Sequence, residues 1–163
     1  MDIPDIVQAF LLIAAGAQTI YYYNVLPATV VSHFSASGAP NGWSPKLSLF
    51  VLYGIVMTVA IVISTVVPLL VQVLPPSMIN LPNKDYWLSD EKRPETIRVF
   101  RRYFRWFGVM LMALLVAVFQ VVFQANLVSV PPSPMVFWVL LGTFIAATLI
   151  WAIRFSIRFN RTD

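Results

Sequence analysis

Three long stretches of this chain, residues 6–32, 47–83 and 106–153, are apolar and contain no Asp, Glu, Lys or Arg. A helix needs about 20 apolar residues, each rising 1.5 Å, to cross roughly 30 Å of hydrocarbon. Prolines and polar breaks divide the stretches into four predicted spans, at about 4–24, 47–74, 106–126 and 135–154. Pro4 suits a first helical turn, and Asp2 and Asp5 complement the positive end of that helix dipole. Tyr21, Tyr22 and Tyr23 close the first span with rings that favour the headgroup level. Pro68 is expected to kink the second span and Pro75-Pro76 to stop it. Pro131-Pro132-Ser133-Pro134 forces a tight reversal before the fourth, which carries Trp138 and Trp151 near its two ends. An outer loop at 25–46 and a basic segment at 75–105 complete the chain. Residues 1–163 therefore read as a single four-helix domain, all-α and integral to the membrane.

Charge orients this pattern. Of the 11 Lys and Arg residues, seven lie within 84–105, three follow at Arg154, Arg158 and Arg161, and Lys46 stands alone. Basic segments that flank apolar spans mark the cytoplasmic side. Four crossings place both termini on one side, so both basic regions can be cytoplasmic with only Lys46 outside. The prediction is a multi-pass protein of the bacterial inner membrane with cytoplasmic termini. Ala15-Gly16-Ala17 has the look of a signal-peptide cleavage site, but Asp2 and Asp5 stand where a signal peptide needs positive charge. The first span is read as retained.

Composition narrows the chemistry. The chain is 59% hydrophobic and 11% charged, against roughly 25% charged residues in a soluble domain. Its net charge of +4 sits beside spans, where it fits anionic lipid headgroups rather than nucleic acid. With no Cys, thiol catalysis, disulfides and Cys-based metal sites are excluded. His33 is the one histidine, and a metal site wants three or more ligands. No metal, no cofactor and no enzymatic activity are expected, since no ionisable residue lies inside a span to serve a relay or a substrate site.

Arg98, Arg101, Arg102 and Arg105 follow the spacing i, i+3, i+4, i+7 and share one helical face, while Ile97, Phe100, Phe104 and Phe107 share the other. That is the pattern of a short amphipathic helix lying in the interface before the third span, with guanidiniums among phosphates and aromatics dipping inward. Pro94 suits its first helical position. Gln120 and Gln124 share a face of the third span and are expected to hydrogen-bond between helices. Gly54/Thr58, Ala113/Ala117 and Gly142/Ala146 are small pairs, each able to face another helix closely or to fall where it does by chance.

The outer loop is the most distinctive segment. It reads Leu26-Pro27, then His33-Phe34, then Gly38-Ala39-Pro40-Asn41-Gly42-Trp43, then Lys46. Pro40-Asn41-Gly42 is expected to form a tight turn. Phe34 and Trp43 are expected to pack on the spans, with His33 hydrogen-bonded beneath them to loop backbone or Asn41, and Lys46 to anchor at the interface. The spacing resembles the bacterial membrane domain of unknown function 1648, with Asn41 where an Asp is common and Val31 where a Pro is common. A domain of this kind also forms the N-terminal part of the SdpI immunity proteins. By this resemblance Pro27, His33, Phe34, Gly38, Pro40, Trp43 and Lys46 are the outer motif. A second stretch, Asn80-Leu81-Pro82-Asn83-Lys84-Asp85-Tyr86-Trp87-Leu88 followed by Glu91-Lys92-Arg93-Pro94, looks like the segment after the second span in longer members. It gives a cytoplasmic motif of Pro82, Asn83, Tyr86, Trp87 and Arg93. The resemblance implies a small non-catalytic membrane protein that binds a peptide, toxin or lipid at the outer loop. The other expectation is an accessory subunit packed against a larger membrane assembly, suggested by short loops and spans without an internal polar pathway.

Overall fold

In hydrocarbon every backbone polar group must find its partner within the protein, which leaves the helix as the natural state of an isolated apolar run. A computed structural model, describing residues 2–162, shows how the chain meets this condition. The order is α1 (Ile3–Val25), β1 (Thr29–Phe34), β2 (Pro40–Pro45), α2 (Lys46–Val73), a 3-10 turn (Pro76–Met78), α3 (Lys84–Trp87), α4 (Arg93–Val128) and α5 (Pro134–Asn160). Four of these helices, α1, α2, α4 and α5, are long and apolar enough to cross a membrane. The chain is thus mostly helical but not all-α, because β1 and β2 pair as an antiparallel hairpin.

No separate amphipathic helix precedes the third span. Arg93–Val128 is one unbroken helix of 36 residues with Pro94 in its first turn. At 1.5 Å per residue it is about 54 Å long, well beyond the hydrocarbon thickness, so its arginine-rich turns extend the span. Helix α2 likewise runs through Pro68 without a break.

Helix α4 is the centre of the bundle, and α1, α2 and α5 each pack on it. Between α1, α2 and α4 lies a ladder of aromatic rings. Tyr22 and Phe50 both stack on Phe123, at 4.9 and 5.0 Å between centroids, and Tyr53 stacks on Phe119 at 4.2 Å. A chain of amides and hydroxyls runs through the same layer. Tyr53 donates to Gln18 Oε1 at 2.7 Å, Gln18 Nε2 donates to Gln120 Oε1 at 2.8 Å, and Gln120 Nε2 donates to the Tyr22 hydroxyl at 2.8 Å. Gln124 Nε2 reaches that hydroxyl too, at 2.7 Å, so both glutamines bond between helices as their spacing suggested. Such pairs add specificity where lipid offers the helices no hydrophobic drive to associate.

Two glycines mark close approaches. A Cβ on Gly108 of α4 would overlap Ser64 of α2 and stand 2.8 Å from Gln8 Nε2 of α1, so all three helices converge there. Gln8 in turn donates to the Arg105 carbonyl at 2.7 Å. Gly38, with φ +81°, leaves no room for a side chain against Pro132 and Pro134 of the α4–α5 connection. By contrast, Gly54, Thr58, Gly142 and Ala146 are exposed and face no other helix of the chain; of the third pair, Ala113 is also exposed and Ala117 is half-buried.

Candidate functional site

The two ends of the bundle are built differently, and each contains one of the sequence motifs. At the hairpin end, Leu26 and Val30 are buried and root the hairpin in the bundle. Asn126, in the last turn of α4, holds β1 from the side. Its Oδ1 accepts from the Val31 N–H at 2.7 Å and its Nδ2 donates to the Val31 carbonyl at 3.0 Å. The amide thereby stands in for a neighbouring strand at an edge that would otherwise be unpaired. Pro27 follows the capping Leu26 and lets the chain leave α1 in an extended conformation.

Several outer-loop expectations are corrected here. The reversal uses Ser35–Ala39, with the Ser35 N–H donating to the Ala39 carbonyl at 2.8 Å and Gly38 in the left-handed region. Pro40, Asn41 and Gly42 are strand residues instead of a turn, and the register slips between Val31 and Phe34. Gly42 lies opposite His33, where a Cβ would come within 3.1 Å of the imidazole. Trp43 does not pack on the spans, being 63% exposed. His33 is also exposed rather than beneath them, and among the described residues its Nδ1 meets only the neighbouring Ser32 hydroxyl, at 3.0 Å. Phe34 does pack inward, 6.2 Å from the Phe137 ring of α5. A groove of about 460 Å³ opens beside it, with Phe34, Phe137, Trp138 and Leu141 on its walls and His33 on its rim.

Lys46 is more than an interface anchor. Its Nζ donates to the Tyr23 and Leu26 carbonyls at 2.8 and 3.1 Å, and sits 4.8 Å above the Tyr23 ring. The ammonium thus closes the negative end of α1, where final carbonyls lack helical partners.

The basic end repeats this device with more parts. Arg93 Nη2 donates to the carbonyls of Val71, Gln72 and Leu74 at 3.2, 3.3 and 2.7 Å, closing α2. Asn83, with φ +49°, donates through Nδ2 to the Phe159 and Asn160 carbonyls at 3.2 and 3.1 Å, closing α5. Trp87 is 1% exposed, and its Nε1 also donates to the Phe159 carbonyl, at 3.0 Å. Thr96 Oγ1 donates to the Trp87 carbonyl at 2.6 Å, and the Arg158 guanidinium lies 4.6 Å over the indole. Pro82 is exposed beside them, and Tyr86 meets Trp87 edge to face. Contact with Tyr86, and then with the Glu95 carboxylate 3.4 Å away, holds the Lys92 ammonium above the ordinary lysine range. Glu95 also takes Arg158 at 2.6 Å.

The four arginines assigned to one lipid-facing stripe are divided. Arg98, Arg101 and Arg102 are exposed. Arg105 is drawn away to Asp5 of α1 at 2.6 Å. The aromatic face is also reassigned, because α5 claims it instead of the membrane. Phe100 packs on Phe155 and Phe159, Phe104 on Trp151, and Phe107 on Trp151 and Phe144.

The first motif can now be placed among known proteins. Residues 9–57 match the family model described as Domain of unknown function (DUF1648). That segment is similar to the DUF1648 domain. It covers most of α1, the whole hairpin and the first turns of α2, and so includes the outer-loop residues from Pro27 to Lys46. The basic-end motif lies beyond the matched residues. No curated protein and no solved structure matches the chain.

Sequence reasoning missed Asn126, Gln18 and Tyr22 as organising residues. Their signal was a polar side chain inside an apolar run, which locates a bonding demand without naming its partner.

Proposed function

We propose that this multi-pass membrane protein is a non-catalytic binding protein of the bacterial inner membrane, with the basic end and both termini in the cytoplasm. Its DUF1648 hairpin takes an apolar or amphipathic ligand, a peptide, toxin or lipid, into the groove between β1 and α5. The observation that carries this reading is the groove itself. It pairs the half-buried Phe34 and Phe137 and the exposed Trp138 with an exposed imidazole whose one hydrogen-bond partner among the described residues is Ser32. Aromatic walls supply area for an apolar segment, and a free ring nitrogen supplies one oriented hydrogen bond. Segregation of ten of the 11 basic residues to one end of the bundle supports the orientation.

Because the chain has no cysteine, single-cysteine variants report its sides directly. Cysteines at the exposed Ser37 and Ser133 should react with an impermeant thiol reagent added to intact cells, and one at the exposed Asp90 should not. Reversed labelling would overturn the orientation. For the ligand, a photo-crosslinking phenylalanine analogue at Trp138 should capture a discrete adduct in cells, whereas the same group at outward-facing Phe10 should not. Equal adduct patterns at the two positions would defeat the groove reading. A second reading, an accessory subunit, is favoured by the outward-facing Gly54/Thr58 and Gly142/Ala146 pairs. It requires a stoichiometric partner after mild detergent extraction, and crosslinks from the α2 and α5 outer faces.

A further inference from the structure

At the basic end, α4 and α5 flank a second groove of about 650 Å³. Trp106, Met110, Ala147, Ile150 and Trp151 form its apolar length, and Arg102 and Arg154 stand at its mouth. Tyr103, Arg154 and Arg158 also line an adjoining hollow of about 350 Å³ that Arg161 completes. The two spaces share these side chains, so the apolar groove opens into a basic one.

The arginines at the mouth are unspent. Arg158 is engaged by Glu95 and Arg105 by Asp5, but Arg102 and Arg154 make no ion pair and no side-chain hydrogen bond among the described residues. Two cross-helix bonds hold the backbone beneath them. Trp151 Nε1 donates to the Tyr103 carbonyl at 2.9 Å, and the Tyr103 hydroxyl donates to the Arg154 carbonyl at 3.2 Å, which clamps α4 to α5 at the level of the guanidiniums. Two planar, multiply donating cations held beside an apolar slot match a phosphodiester with an attached acyl chain. Trp106, 38% exposed, and Trp151 are the residues expected where headgroups meet chains.

We propose that this groove is a site for one anionic phospholipid, its phosphate between Arg102 and Arg154 and the upper part of one chain along Met110 and Ile150. An extended acidic peptide would satisfy the guanidiniums but would have to lay polar backbone against the hydrocarbon-facing part of the groove, where its amides find no partner. A phospholipid already has its charge and its chain in the required order. The proposal is independent of the hairpin groove and of which side the basic end faces.

The purified full-length protein in dodecyl maltoside is titrated with dioleoylphosphatidylglycerol, dioleoylphosphatidylcholine and inorganic phosphate, reading melting temperature and the lipids retained in native mass spectrometry. Phosphatidylglycerol should raise the melting temperature and be retained one per chain, while phosphatidylcholine and phosphate should do neither. R102A/R154A should lose about tenfold or more in apparent affinity, and R98A/R101A, which removes the same charge from exposed positions away from the groove, less than about twofold. A147W, which fills the groove and keeps every arginine, should lose retention as well, and it carries the test if the double arginine variant misfolds. Equal losses in the two arginine pairs would overturn the site in favour of diffuse attraction to an anionic surface. A shift with phosphate alone would replace it with a simple anion site. An acidic protein retained at the groove in place of lipid would also overturn it.

Discussion

The hairpin end and the basic end solve the same problem, closing helices whose last carbonyls lack partners, with different materials. At the hairpin end one cation, Lys46, closes α1, and most other polar groups are satisfied by strand pairing and the Asn126 amide. At the basic end Arg93, Asn83 and Trp87 close two helices, Glu95 bridges Lys92 and Arg158, and the indole is sealed beneath a guanidinium. Backbone pairing needs few side chains and leaves His33 and Trp43 exposed. Side-chain closure consumes its charges and aromatics in structure, leaving over the arginines that face away from Glu95 and Asp5. At the hairpin end the motif residues His33 and Trp43 thus stay exposed, while at the basic end the motif residues Asn83, Trp87 and Arg93 are engaged in closing helices.

The sharpest way to break the comparison is Trp87→Ala. Losing a fully buried indole costs about 3–5 kcal/mol, and here it also strips a donor from the Phe159 carbonyl. The detergent melting temperature should fall steeply and amide exchange should rise at the end of α5. An unchanged melting curve would show that the basic end is not organised around this residue. Asn126→Leu should come next, at about 1–3 kcal/mol, because the Val31 N–H and carbonyl lose their partners together. Exchange at Val31 should increase while the basic end stays protected; opening of both ends would contradict their independence.

Swapping the two capping cations sharpens the contrast further. Arg93→Met should cost more than Lys46→Met, each within about 1–2 kcal/mol, since Arg93 serves three carbonyls and Lys46 serves two. The reverse order in melting temperature would show that the hairpin depends more on its single charge than the bonds imply. The smallest effects belong to His33→Ala and Trp43→Ala, within about 0.5 kcal/mol, as expected of exposed side chains. A large loss of stability in either variant would return these residues to the structural role that their place in the motif first suggested.

The apolar stretches by themselves determined four helices, because a run of that length has no other way to satisfy its backbone in lipid. Charge placement likewise put both motifs at opposite ends, and the outer-loop spacing was specific enough to name the DUF1648 domain. Gly38 takes a left-handed backbone that favours glycine, so its residue type is explained by the turn it makes. Helical periodicity alone could not say what each face would meet. The stripe through Phe100, Phe104 and Phe107 has the same spacing whether it lies on lipid or on α5, and only the packing of α5 chose. Asn41-Gly42 reads as a turn by local propensity, yet Ser35–Ala39 makes the reversal because Gly38 meets the α4–α5 connection. Lys46 and Arg93 carry no mark of the helix each closes, since the carbonyls they reach lie about 20 residues away along the chain. Sequence spacing encodes local conformation and hydrocarbon length, whereas the partners of a polar side chain are decided by which helix ends the fold brings within hydrogen-bond reach.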